Sequence, residues 1–151
     1  MSAPSLDKRF GLAFHHFGLA VHAPDAAFTY LDALGYRGGE PMFDPLQGVN
    51  LVMRYHESMP AVEVIWPGDE PSPIDNMLKR RDSLIYHICY TAPDVPGTLA
   101  AMAETGLQLL ALVEPRPAIL FGGREVSFHH VANFGLIEFI HGDVPPMDLG
   151  S

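Results

Sequence analysis

Cysteine is nearly missing from this chain: Cys89 is the single one among 151 residues. That excludes an internal disulfide framework and, with eight histidines present, leaves imidazole and carboxylate as the candidate metal ligands. Positive charge is scarce as well. Nine Lys and Arg stand against eighteen Asp and Glu, a formal charge of −9 with no basic stripe, which disfavours nucleic acid and anionic membranes as partners. No apolar run reaches the length of a membrane-spanning helix. Met1–Phe10 mixes Asp7, Lys8 and Arg9 with small residues and lacks the apolar core of a signal peptide. A cytoplasmic protein acting on a small molecule is the expectation. If that molecule is anionic, a few residues must meet it, such as Arg54, Arg116, Arg124 or the Lys79-Arg80-Arg81 run. What the chain does have is 48% hydrophobic and 18% charged residues, a globular composition at the size of one ordinary domain.

It also has an internal repeat. Residues 14–36 and 85–107 each read as an apolar strand carrying a histidine, then Ala-Pro-Asp, then an amphipathic helix ending at glycine. Nineteen positions separate His16 from Gly35, and nineteen separate His87 from Gly106. Pro24 and Pro93 suit helix starts, Asp25 and Asp94 favour the positive helix end, and Gly35 and Gly106 stand at left-handed C-caps. Ala27, Tyr30, Leu31 and Leu34 predict one buried helix stripe, and Val95, Leu99 and Met102 another. Strand patterns follow each helix, at 36–42, 48–56 and 60–66, then at 107–114, 124–131 and 134–141. The fold class is therefore α+β: two βαβββ modules in tandem (about 12–66 and 84–142) forming a U-shaped mixed sheet around a metal site. A linker at 67–83 joins them with a helix over 72–81, and the tail from Val144 frays. The whole reads as one domain.

Strand alternation selects the ligands. His16 shares a face with Gly18 and Ala20, and His87 with Cys89 and Thr91; Glu63 lies opposite Val62 and Val64, and Glu138 opposite Ile137 and Phe139. Four times, one face is bulky and apolar while the other carries a single polar residue. A buried lone carboxylate is expensive unless paired or ligated. Two imidazoles and two carboxylates at repeat-equivalent places suit a borderline divalent ion such as Co, Ni, Zn, Mn or Fe, with open positions for substrate.

These residues give the chain a resemblance to the vicinal oxygen chelate superfamily (glyoxalase, bleomycin resistance and dioxygenase proteins), over about residues 12–142. Within it the sequence is most similar to the methylmalonyl-CoA epimerase branch. The segments that carry this are Gln47-Gly48-Val49, Val62-Glu63-Val64-Ile65-Trp66-Pro67, Ser72-Pro73-Ile74, Tyr86-His87-Ile88, Glu114-Pro115-Arg116-Pro117 and Phe128-His129-His130. The resemblance implies metal ligation by His16, Glu63, His87 and Glu138, and abstraction of a proton next to a carbonyl, on an acyl-CoA thioester. It also implies departures. Several such epimerases carry a catalytic glutamate where this chain has Leu51, and the loop after Pro-Arg is the apolar Ala118-Ile119-Leu120-Phe121.

With Leu51 unable to move a proton, Glu138 and Glu63 become the expected acid–base groups. His130, Arg116, Asn50 and Phe121 are candidate substrate-binding residues, Arg116 through a bidentate grip on a carboxylate or phosphate. His15 has the wrong parity and is expected to be packed; His22, His56 and His141, at strand ends, are expected to be solvated. Competing readings are a glyoxalase I-like lyase, an Fe(II) dioxygenase using His16, His87 and Glu138, and a non-catalytic resistance-type binding protein. Glu63 argues against the dioxygenase by filling a position that oxygen would need, and the intact ligand set argues against the binding protein. Exposed strands and an apolar helical stripe favour a homodimer.

Overall fold

The computed structural model describes residues 9–142. The tandem βαβββ architecture is present. The first module runs β1 (Ala13–Val21), α1 (Asp25–Ala33), β2 (Met42–Asp44), β3 (Val49–Arg54) and β4 (Ala61–Pro67). After the short helix α2 (Ile74–Met77), the second runs β5 (Ser83–Ala92), α3 (Val95–Glu104), β6 (Leu109–Pro117), β7 (Glu125–Val131) and β8 (Gly135–His141). Two compact units result, one of residues 16–86 and one in which 9–15 join 87–142. The tail from Val144 lies outside the described residues. Among those described, no helix is long and apolar enough to cross a membrane.

In the first unit the strands lie in the order β2-β3-β4-β1. β1 runs parallel to β4, and β3 antiparallel to both β4 and β2, so the sheet is mixed. Val21, Leu31, Tyr36, Val52 and Val64 form the core, with Ala27, Phe28 and Trp66 packed against it. α1 therefore buries Ala27, Phe28 and Leu31, not the expected stripe: Tyr30 is 65% and Leu34 40% exposed. Phe28 decides the rotation, since its ring meets Trp66 edge-on at 5.8 Å and buries more apolar area than Tyr30 could without stranding a hydroxyl.

Two further expectations need correction. The segment 36–42 does not form a strand; it makes one bridge, Arg37 to Tyr55, and regular pairing starts at Met42. Gly38 sits at φ +146° with its backbone so close that a Cβ would lie 2.6 Å from the Met53 carbonyl oxygen, and Pro41 has no N–H to give a ladder. The linker helix covers only Ile74–Met77. The Asp75 carboxylate accepts from Ser72 N at its start, while Lys79 N→Asn76 O and Arg81 N→Leu78 O show the chain tightening into turns through the basic run.

The second unit repeats the pattern in the order β5-β8-β7-β6, with β5 parallel to β8 and the remaining pairs antiparallel. Phe10, Ala92, Val95, Met102, Ile137 and Phe139 form its core, with Leu99 packed against them, as the stripe on α3 predicted. The Asp94 side chain caps α3 by accepting from Gly97 N, and Thr98 donates its hydroxyl to Phe10 O, tying the leading segment to the helix. Both long helices end in the same way. Gly35 and Gly106 adopt φ +95° and +87°, and the next residues bond back five positions, Tyr36 N→Leu31 O and Leu107 N→Met102 O.

Candidate metal-binding residues

In the first module the register places Gly18 of β1 directly beside Glu63 and Met53 of β3 on its other side. Alternation then puts His16, Ala20, Ala61, Leu51 and Ile65 on the same face as Glu63. His16 and Glu63 are both buried there, and His16 Nε2 lies 3.6 Å from Glu63 Oε1. Tyr55 extends the face two residues past Met53. Burial, and secondarily the Glu63 charge, raises its hydroxyl above the ordinary tyrosine pKa.

The second module repeats the geometry. Cys89 of β5 lies beside Glu138 and Phe128 of β7 flanks it on the other side. His87 and Glu138 are buried, with His87 Nε2 3.2 Å from Glu138 Oε1. The Phe128 ring stands edge-on to the His87 ring at 5.6 Å, a contact that restricts the imidazole plane.

Each module thus holds one imidazole nitrogen and one carboxylate oxygen within ion-pair reach, in surroundings of Gly, Ala, Cys, Met, Leu, Ile and Phe. Burying carboxylates on these faces costs desolvation that ionic or hydrogen-bonded partners must offset. Nitrogen and oxygen donors of this kind are those that borderline divalent ions take, so the residues present fit a metal. The expected small neighbours hold only on the β1 and β5 sides; on the outer sides Met53 and Phe128 are large. The places of Met53, Tyr55 and Phe128 beside these groups are not legible in the sequence, because parity ranks residues within one strand. Only the register says which residue of the next strand stands beside the carboxylate.

The remaining candidates separate. Asn50 is not on the Glu63 face: it pairs with Trp66, and its side-chain amide donates to Pro67 O at 3.2 Å. One residue of parity turns it toward the helix side, so its reading as a substrate contact is withdrawn. Arg116 pairs with Val126, which shares its face with Phe128 and Glu138, and it is half-buried. His130 pairs with Leu136 on that same face and is exposed. Phe121 ends a short 3-10 turn (Ile119–Phe121), is buried, and packs edge-on against His15 at 5.4 Å, so His15 is packed as expected.

The strand-end histidines are bonded and not merely solvated. His22 Nε2 contacts Arg81 O at 2.9 Å. His56 accepts from Ser58 N and Met59 N at Nδ1, which leaves its Nε2–H to donate to Leu34 O at the end of α1. His141 and His129 both present Nε2 to the Ser127 hydroxyl, at 2.8 and 3.0 Å. Desolvation lowers the pKa of both; the neighbouring His141 lowers that of His129 further, while Glu125 partly offsets the shift at His141.

Comparison with known proteins places the chain in a family and supports its fold. The family model described as Glyoxalase/Bleomycin resistance protein/Dioxygenase superfamily matches residues 15–132. A mitochondrial methylmalonyl-CoA epimerase of Dictyostelium discoideum is 26% identical over 118 residues, covering 77% of this chain and 69% of the relative. The crystal structure of methylmalonyl-CoA epimerase from Mycobacterium tuberculosis superposes with a TM-score of 0.73 at 23% identity, covering 95% of this chain and 93% of the other. A point variant of the Streptomyces coelicolor methylmalonyl-CoA epimerase, in complex with 2-nitronate-propionyl-CoA, does so with a TM-score of 0.67 at 23% identity, covering 87% and 97%. At these identities the solved structures speak to the fold.

Proposed function

Since the chain belongs to the glyoxalase/bleomycin resistance protein/dioxygenase superfamily, whose model spans most of it, we propose that it is a metal-dependent isomerase. It removes and returns a proton beside the carbonyl of an acyl-CoA thioester, in the manner of methylmalonyl-CoA epimerase. The observation that carries this reading is the matched pair of buried donors, His16 with Glu63 and His87 with Glu138. The substrate class is supported by relatives named as methylmalonyl-CoA epimerases, one of them in complex with an acyl-CoA analogue.

In this reading His16, Glu63, His87 and Glu138 together hold one divalent ion (Co, Ni, Zn, Mn or Fe), and the two modules work as a single domain. When bound, the ion supplies Lewis-acid polarisation of the thioester carbonyl oxygen, which acidifies the neighbouring C–H. Glu138 Oε1 takes that proton from one face of the carbon and Glu63 returns one to the other, so each carboxylate serves as ligand and as acid or base. Leu51, Met53 and Ile65 give the Glu63 side an apolar wall that keeps water from competing for the proton. Phe128 holds the His87 ring in its plane. Arg116 grips a carboxylate or phosphate of the substrate, with His130 and Phe121 lining its approach. The enzyme is cytoplasmic and a homodimer.

Incubation with methylmalonyl-CoA in D2O tests the reaction, read by mass at the exchangeable carbon. The native chain with saturating Co2+ incorporates deuterium into both epimers; Glu138→Gln retains the ion at saturation but incorporates none into the epimer whose proton faces Glu138. Full exchange by Glu138→Gln would sink the assignment of the base.

A further inference from the structure

The core of the second module is unfinished at one end. A cavity of about 260 Å3 opens there, walled among others by Phe10, Met102, Leu109, Val131 and Ile137, with Leu107 and Phe134 also lining it. It lies on the helix side of β8, since Ile137 lines it while the next residue, Glu138, faces the other way. The cavity is therefore separate from the His87–Glu138 pair.

The first module shows what fills the corresponding place. After its C-cap glycine, Gly35, comes Tyr36, which is 7% exposed, packs in the core and donates its hydroxyl to Pro60 O in the turn between β3 and β4. Met59 of that turn packs against the same core. The second module builds the same helix end on Gly106, but the next residue is Leu107, which is 45% exposed. The turn between β7 and β8 offers Phe134, which is 60% exposed. The smaller Leu107 and the outward Phe134 leave open the space that Tyr36 and Met59 close in the first module.

Water is a poor occupant. Among the lining side chains the Tyr90 hydroxyl is the one polar group, and a water needs two to four polar partners. A dry apolar cavity of about 150 Å3 already takes a benzene-sized guest, so this larger one has room for a hydrocarbon chain. Charge is available for one end of such a guest. The Arg9 guanidinium lies 5.7 Å from the ring centroid of Phe10, a wall residue, on a chain otherwise strongly acidic.

We propose that the second module binds a fatty carboxylate of medium chain length, its alkyl chain in the cavity and its carboxylate at Arg9. Isothermal titration of the full chain with decanoate tests this, with thermal melting alongside. The expected result is saturable binding of one decanoate per chain and a higher Tm, both unchanged by EDTA. Leu107→Tyr, which installs the first module's own plug at an exposed position, weakens decanoate at least about tenfold. Phe134→Asp at the exposed rim does the same and covers the case in which Leu107→Tyr folds poorly. Arg9→Gln weakens decanoate but leaves 1-decanol binding as it was. Absence of saturable binding, uptake of many decanoates per chain, or native affinity in folded Leu107→Tyr or Phe134→Asp would each overturn the proposal. Loss of binding with EDTA would assign the carboxylate to a metal instead, and native decanoate affinity in Arg9→Gln would remove the anionic end.

Discussion

Replacing Glu63 by leucine separates a metal ligand from a structural residue, because the two roles predict different outcomes in the metal-free protein. Glu63 is buried between Gly18 and Met53 with His16 as its imidazole neighbour. Burying a carboxylate there costs desolvation; if Glu63 is kept for the ion and not for the fold, a leucine of similar volume leaves the metal-free chain about as stable as before. The ion changes the comparison. At a concentration about a hundred times its Kd, an ion bound only by the folded chain adds about 2.7 kcal/mol. For a chain of this size each kcal/mol moves Tm by roughly 2–4 °C, so Co2+ raises the native Tm by about 5–10 °C. Losing one donor of four weakens binding by at least the ~100-fold that outer partners of a metal ligand can cost. The same Co2+ concentration then sits near Kd, the linkage shrinks to about 0.4 kcal/mol, and the shift to about 1 °C. Differential scanning fluorimetry with Co2+ and with EDTA reads both quantities. A native Tm indifferent to Co2+, or a metal-free Glu63→Leu protein several degrees less stable than native, would refute the reasoning.

Acid should destabilise the chain through two histidines of the second module. His129 and His141 have folded pKa values below the ordinary 6.5, so the unfolded chain takes their protons sooner; stability is fully present above about pH 6.5 and is lost as pH falls from there through the depressed folded values. Urea melts at pH 7.5 and 5.0 check this, and His129→Leu flattens the difference between the two. His56→Ala removes the link between the end of α1 and the turn at Ser58–Met59. Part of that network is solvent-exposed, so its loss costs about 1 kcal/mol in a chemical melt and leaves the Co2+ shift in Tm unchanged.

The repeat, the two helices, most strands and the face of each candidate ligand were legible in the amino-acid order. They rest on local physics: period-two alternation around His16, Glu63, His87 and Glu138, and glycines at 35 and 106 that alone tolerate the left-handed cap. What failed in the sequence reading failed where a second strand or helix casts the deciding vote. Tyr30 and Phe28 compete for one helix face, and the choice went to Phe28 because Trp66 stands opposite it. Gly38 breaks a strand only because the Met53 carbonyl lies against it. Asn50 stands on the opposite face from Glu63, and the places of Met53 and Phe128 beside the carboxylates were not legible, because register between strands is set by the packing of whole faces and leaves no mark at any one residue. The chain's own order thus determined which groups could bind a metal and on which face of each strand they stand. Tertiary structure decided which neighbours press on them, and where Leu107, in the place that Tyr36 takes in the other module, leaves the core open.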